Sequence, residues 1–126
     1  AKYIFIFSDP LESAQSVAQM GDKHGVIWSE EHIYHLVGQG DPYEIFEKDV
    51  LNYEAQIKSW GEAKGVFLVH YNDIWSKSDE LAEYLGFKLR LPERRERTKK
   101  ALPLSFNQEM FDYLRQQEQA LREKIS

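Results

Sequence analysis

Cysteine is absent from this sequence, which excludes disulfides and thiolate-ligated metal sites. Long apolar runs are absent too: the longest are about five to seven residues, far short of the roughly 20 that cross a membrane as a helix. No basic-then-apolar leader opens the chain. The expectation is an intracellular, cytoplasmic protein with no membrane partner. Glycine is sparse at seven residues, occurring as Gly38 and Gly40 in GQG and otherwise singly, never as a glycine-rich loop running into Lys-Ser or Lys-Thr. Positive charge is also short, with 16 lysines and arginines against 21 acids and a net charge of −5, which argues against broad nucleic-acid binding. What is present is an ordinary globular composition over 126 residues, 42% hydrophobic and 13% aromatic. This suits one domain with a core of its own.

The chain shows no repeat and no low-complexity tract. Its one shift in composition lies between Phe87 and Leu102, where Lys88, Arg90, Arg94, Arg95, Arg97, Lys99 and Lys100 meet only Glu93 and Glu96. That segment carries about +5 and the remainder about −10. Two runs, YIFIF at Tyr3–Phe7 and GVFLVHY at 65–71, are too short for helices and apolar on both faces, as buried parallel strands are. The fifty-odd residues between them far exceed a hairpin and suit a helical crossover, so the two strands are expected to be adjacent and parallel.

Capping residues mark the helices. In DPLE, Asp9 is placed to accept from the first free amides, Pro10 suits the first helical position, and Glu12 can reach back to the cap. DPYE at 41–44 repeats the device and is expected to open a long helix whose Phe46, Val50, Tyr53, Ile57 and Trp60 form one stripe. Ser76 or Ser78 begins a shorter helix that ends at Gly86, with Phe87 folding back on its last turn. SFNQ at 105–108 caps a last helix with Phe106, Met110, Leu114, Leu121 and Ile125 on its packing side. A small helix over 30–37 and a short strand over 26–28 complete the expectation. The fold class is α/β: a small parallel sheet flanked by helices.

A strand that empties into a helix N-terminus is where α/β proteins commonly hold phosphate. Here Asp9 and Glu12 already satisfy those amides and would repel an anion, so Asp9 reads as a structural cap. Ser16 is placed differently, two turns further on, where its hydroxyl can donate to an oxygen lying along the helix. His32 and His35, one turn apart beside Glu30 and Glu31, have a spacing that can hold a metal. Lacking a third placed ligand, they read as surface residues, and no metal is assigned. His70, inside the second strand run, reads as a hydrogen-bonded interior histidine. Trp28, Trp60 and Trp75 read as walls of the core or of a substrate side.

Three segments, in order and spacing, resemble the sulfotransferases that use 3'-phosphoadenosine 5'-phosphosulfate and are built on a P-loop-type α/β core. IFIFSDPLESAQS is similar to that family's strand followed by Arg-Asp/Asn-Pro, an acid, and a serine eight residues after the arginine. VFLVHYNDIW, running on to DELAEYLGF, resembles the strand ending in Tyr-Glu-Asp-Leu and the helix ending in Phe-Leu-Gly. LPERRERTKK lies where the family has a basic loop over the cofactor's 3'-phosphate. The resemblance spans most of residues 3–100. It implies that Ser16 binds the 3'-phosphate, that Tyr71 lies beside the adenine, and that Arg94, Arg95 or Arg97 supplies the basic contact.

Two departures accompany it. Ser8 stands where the family has the arginine that pairs with the same phosphate, which removes a bidentate contact. The family's phosphate loop and its upstream base have no counterpart, and the catalytic residues are therefore unassigned. The chain resembles the C-terminal half of a sulfotransferase fold, holding the 3'-phosphoadenosine end of the donor and inactive without the missing segment. The alternative is a non-catalytic protein-interaction module on the same framework. Either way the unpaired edges of so small a sheet call for a homo-oligomer or a missing segment of the same protein.

Overall fold

The computed structural model describes residues 2–94 and 102–126. In chain order the elements are β1 (Tyr3–Phe7), α1 (Pro10–His24), α2 (Val26–His35), a 3-10 turn (Pro42–Glu44), α3 (Tyr53–Glu62), β2 (Val66–His70), a second 3-10 turn (Tyr71–Asp73), α4 (Ser78–Leu85) and α5 (Gln108–Ile125). β1 and β2 are adjacent and parallel, in a register that runs from Tyr3 opposite Val66 to Phe7 opposite His70. The chain is thus mixed α/β, with helices around a two-stranded parallel sheet. Among the described residues no helix is long and apolar enough to cross a membrane.

Two apolar clusters make the core. The larger joins Leu11, Ala14 and Val17 of α1 to Ile33 of α2, to Ile45 and Val50 of the following loop, and to Phe111 and Leu114 of α5. The smaller sets Phe7 against Ile57 of α3 and Leu121 of α5. α5 contributes to both because its apolar residues recur every three to four positions along 18 residues.

The sequence expectations hold at several caps. The Asp9 side chain accepts from Leu11 and Glu12 N–H, with Pro10 at the first helical position. Gly86 closes α4 in the left-handed region at φ 82°. Phe87 does not fold back, being 61% exposed. α5 is capped by Asn107, whose side chain accepts from Met110 N–H, so the chain enters the helix two residues after Ser105.

Three expectations are corrected. Residues 26–28 are helix, not strand: α2 starts at Val26, one turn before Glu30, and Trp28 stacks on His32 one turn later with ring centroids 5.1 Å apart. The long helix expected from Pro42 to Trp60 is broken. Asn52 is left-handed at φ 58°, its side-chain amide donates to Leu36 O, and the Asp49 carboxylate accepts from the N–H groups of Tyr53 and Glu54, so α3 begins afresh. The apparent stripe belongs to two segments that feed different clusters, Phe46 and Val50 the larger one and Ile57 the smaller. Finally, β1 is not buried on both faces: Tyr3 and Ile6 are about half exposed, because two strands give the helices little sheet to cover.

Candidate functional site

The parallel register carries both strands out at the same end, so Ser8 and Tyr71 leave the sheet side by side after Phe7 and His70. That end is where open α/β sheets hold ligands. After β1, the Ser8 and Ser13 hydroxyls lie 2.9 Å apart, Ser13 Oγ donates to Asp9 O at 3.0 Å, and the Tyr53 hydroxyl donates to Ser8 O at 2.6 Å. The Tyr53 phenol is pushed well above its ordinary value, first by burial and then by the carboxylates of Glu118, Asp9 and Asp49. It is therefore a fixed donor, not a base.

After β2 the side chains are equally committed. Asn72 N–H donates to His70 Nδ1 at 3.1 Å, so the ring proton sits on Nε2 and is donated to Glu118 Oε2 at 2.8 Å. Both side chains are almost fully buried, and the interior reading of His70 holds. Asp73 takes both forks of Arg122, Nε at 3.0 Å and a terminal nitrogen at 2.7 Å.

α5 thus lays three ionisable side chains along the strand ends. Arg115 reaches Asp9, with Nε 2.8 Å from Oδ2, Glu118 reaches His70, and Arg122 reaches Asp73. Their spacing of three and four residues puts them on one face of the helix. The guanidinium of Arg115 is thereby brought to the residue beside Ser8, while its side chain stays 43% exposed. Sequence reading missed this arginine because 106 residues separate it from Asp9. The available signal was the set Arg115, Glu118 and Arg122, which interrupts the apolar stripe of Leu114 and Leu121.

Of the residues singled out from sequence, Tyr71 and Arg94 are brought together. Tyr71 meets Trp75 edge-on at 5.6 Å, and Arg94 lies 5.7 Å over the same indole. Trp75 is fixed by donating Nε1–H to Pro92 O at 2.9 Å. Ser16 lies half-buried on α1, two turns from Asp9. Arg95 and Arg97 lie outside the described residues. His32 is held below its ordinary value, first by burial and then by the charge of His35. No group of three potential metal ligands occurs among the described residues. Comparison of the chain with models of known families, with characterised proteins and with solved structures returns no match.

Proposed function

We propose that the chain is the part of a sulfotransferase-like framework that receives the 3'-phosphoadenosine end of 3'-phosphoadenosine 5'-phosphosulfate, and that it does not transfer the sulfuryl group by itself. The observation that carries this reading is the common exit of Ser8 and Tyr71 from a parallel pair, with Arg94 stacked over Trp75 beside Tyr71. The aromatic edge of Tyr71 and Trp75 suits a purine face. Arg94 supplies positive charge next to it, and the Ser16 hydroxyl is the donor for a phosphate oxygen along α1. Arg115 stands beside Ser8, the position that lacks an arginine in sequence. No residue assigned here supplies the base or the donors on the leaving oxygens that sulfuryl transfer requires.

A second reading, a non-catalytic interaction module, is favoured by one observation: the α5 guanidiniums at the strand ends are already paired with Asp9 and Asp73. Calorimetric titration of the 126-residue chain separates the two. The nucleotide reading expects 3'-phosphoadenosine 5'-phosphate to bind in the millimolar range, about 4 kcal/mol. It also expects adenosine 5'-phosphate to bind more weakly, and Arg94→Ala to abolish the difference. Equal binding of the two nucleotides, or none of either, would leave the interaction module.

A further inference from the structure

We propose that the buried pair of His70 and Glu118 is a proton-operated latch, in which uptake of one proton by His70 releases the turn that carries Tyr71. This goes beyond the nucleotide reading and does not depend on it. His70 ends β2 and caps the 3-10 turn at Tyr71–Asp73, its Nδ1 accepting from Asn72 N–H at 3.1 Å. Its Nε2–H is donated to Glu118 Oε2 at 2.8 Å, and the two side chains are 2% and 4% exposed. Only the neutral imidazole satisfies both bonds, because imidazolium carries a proton on each nitrogen and has no lone pair to accept with.

The same state keeps a carboxylate in the interior with a neutral donor against it, and a buried charge without an opposite charge beside it is costly. The groups around the pair do not supply one. On α5, Arg115 and Arg122 lie about one turn to either side of Glu118, and each is already paired with another acid, Asp9 or Asp73. α3 contributes Tyr53, whose phenol stays protonated, and β1 sets the Phe7 ring edge-on to His70 at 5.1 Å. Lys77, beyond the turn, reaches Ile125 O at the end of α5. A proton on Nδ1 would make the pair imidazolium and carboxylate, which removes the net buried charge. It would also set that N–H against the N–H of Asn72, and the turn would lose its cap. Charge favours the proton and the turn excludes it, which is what makes the pair a switch. Imidazole is ordinarily more basic than a carboxylate, so His70 takes the proton.

What the latch releases follows from the other bonds of the turn. Its closing hydrogen bond, from Ile74 N–H to Tyr71 O, is long at 3.4 Å. Asp73 is anchored independently, by both forks of Arg122. Loss of the cap therefore acts on Tyr71 and Asn72, upstream of that anchor. Tyr71 meets Trp75 edge-on at 5.6 Å, and the indole is itself fixed to Pro92 O. Displacement of the turn is thus felt at Trp75.

The test is a titration of the full 126-residue chain from about pH 8 to about pH 5, a range in which Asp73, held below its ordinary value by Arg122, stays charged. Trp28 and Trp60 are changed to phenylalanine, since Trp28 stacks on His32 and would report that histidine instead. The expected result is a one-proton change in Trp75 emission with a matching shift of the Asn72 amide resonance. Over the same range the His70 ring passes from one protonated nitrogen to two, while the helical circular dichroism stays constant. His70→Asn keeps an acceptor for Asn72 N–H and does not titrate, so it should abolish the change. Glu118→Gln keeps an acceptor for Nε2–H without the charge, and should move the midpoint down by at least about one pH unit, a tenfold loss of proton affinity. If His70→Asn does not fold, the ring nitrogens and Glu118→Gln decide. A constant Trp75 signal and Asn72 amide, a change that survives His70→Asn, a midpoint unmoved in Glu118→Gln, or loss of helix across the same range would overturn the proposal. Protonation of Glu118 in place of His70, with the Asn72 amide unmoved, would overturn it too.

Discussion

At the residue scale, Asp73 and Arg122 make the most directly testable pair. The Asp73 carboxyl is held below its ordinary value of 3.8, chiefly by the hydrogen bond from the Arg122 guanidinium. Unfolding returns it to that ordinary value. The pair's stabilisation is therefore fully present above about pH 4 and is lost as pH falls through the lowered folded value. Urea unfolding followed from neutral to acid pH is expected to show this loss in the wild type, with a smaller acid-side decline in Arg122→Ala, which starts from lower stability at pH 7. Parallel decline of the two proteins would mean that other groups carry the acid sensitivity. Local chemistry of this kind was only half legible. Asp9 announced itself as a cap by standing before Pro10, but its second partner, Arg115, comes from the other end of the chain. No local pattern names a partner at that distance.

At the level of elements, what the sequence showed well was what neighbouring residues decide. Both strands, the Asp9 cap and the Gly86 stop depend on side chains within a few positions, and each is found in its place. The long helix failed because periodicity counts apolar spacing without asking which cluster receives each residue. Phe46 and Val50 go to one cluster and Ile57 to another. The device that resets the helix is Asp49, whose carboxylate oxygens accept from Tyr53 N–H at 2.8 Å and Glu54 N–H at 3.0 Å. Removing it leaves two amides of the first turn without their acceptor. Asp49→Ala is expected to cost about 1–2 kcal/mol, read as a lower urea midpoint with an unchanged slope. A continuous helix through 45–60 would instead be indifferent to this substitution, or improved by it. The α2 error has a related origin: Val26, Ile27 and Trp28 suit a strand by type, yet Trp28 finds its stacking partner one helical turn away.

For the whole molecule, the open question is whether the two apolar clusters fold as one unit. A two-stranded sheet is too small to organise a domain alone, and α5 takes over that role. It sends Phe111 and Leu114 into the larger cluster and Leu121 into the smaller, while Tyr53 packs against both. It also ties itself to both strand ends through Arg115, Glu118 and Arg122. A helix shared in this way couples the clusters, since neither can lose its part of α5 without fraying the other. Two tryptophans report on them separately: Trp28 packs against the larger cluster, and Trp60 stacks on Phe5 beside the smaller one with centroids 5.8 Å apart. Variants keeping only one of these tryptophans, with the others changed to phenylalanine, are expected to report the same fall in urea midpoint on Leu114→Ala. That substitution lies in the larger cluster alone and removes a 2% exposed side chain. It should lower both midpoints together, by about 2–4 kcal/mol of stability. A fall seen by Trp28 but not by Trp60 would show that the clusters unfold independently and that α5 joins them only in space.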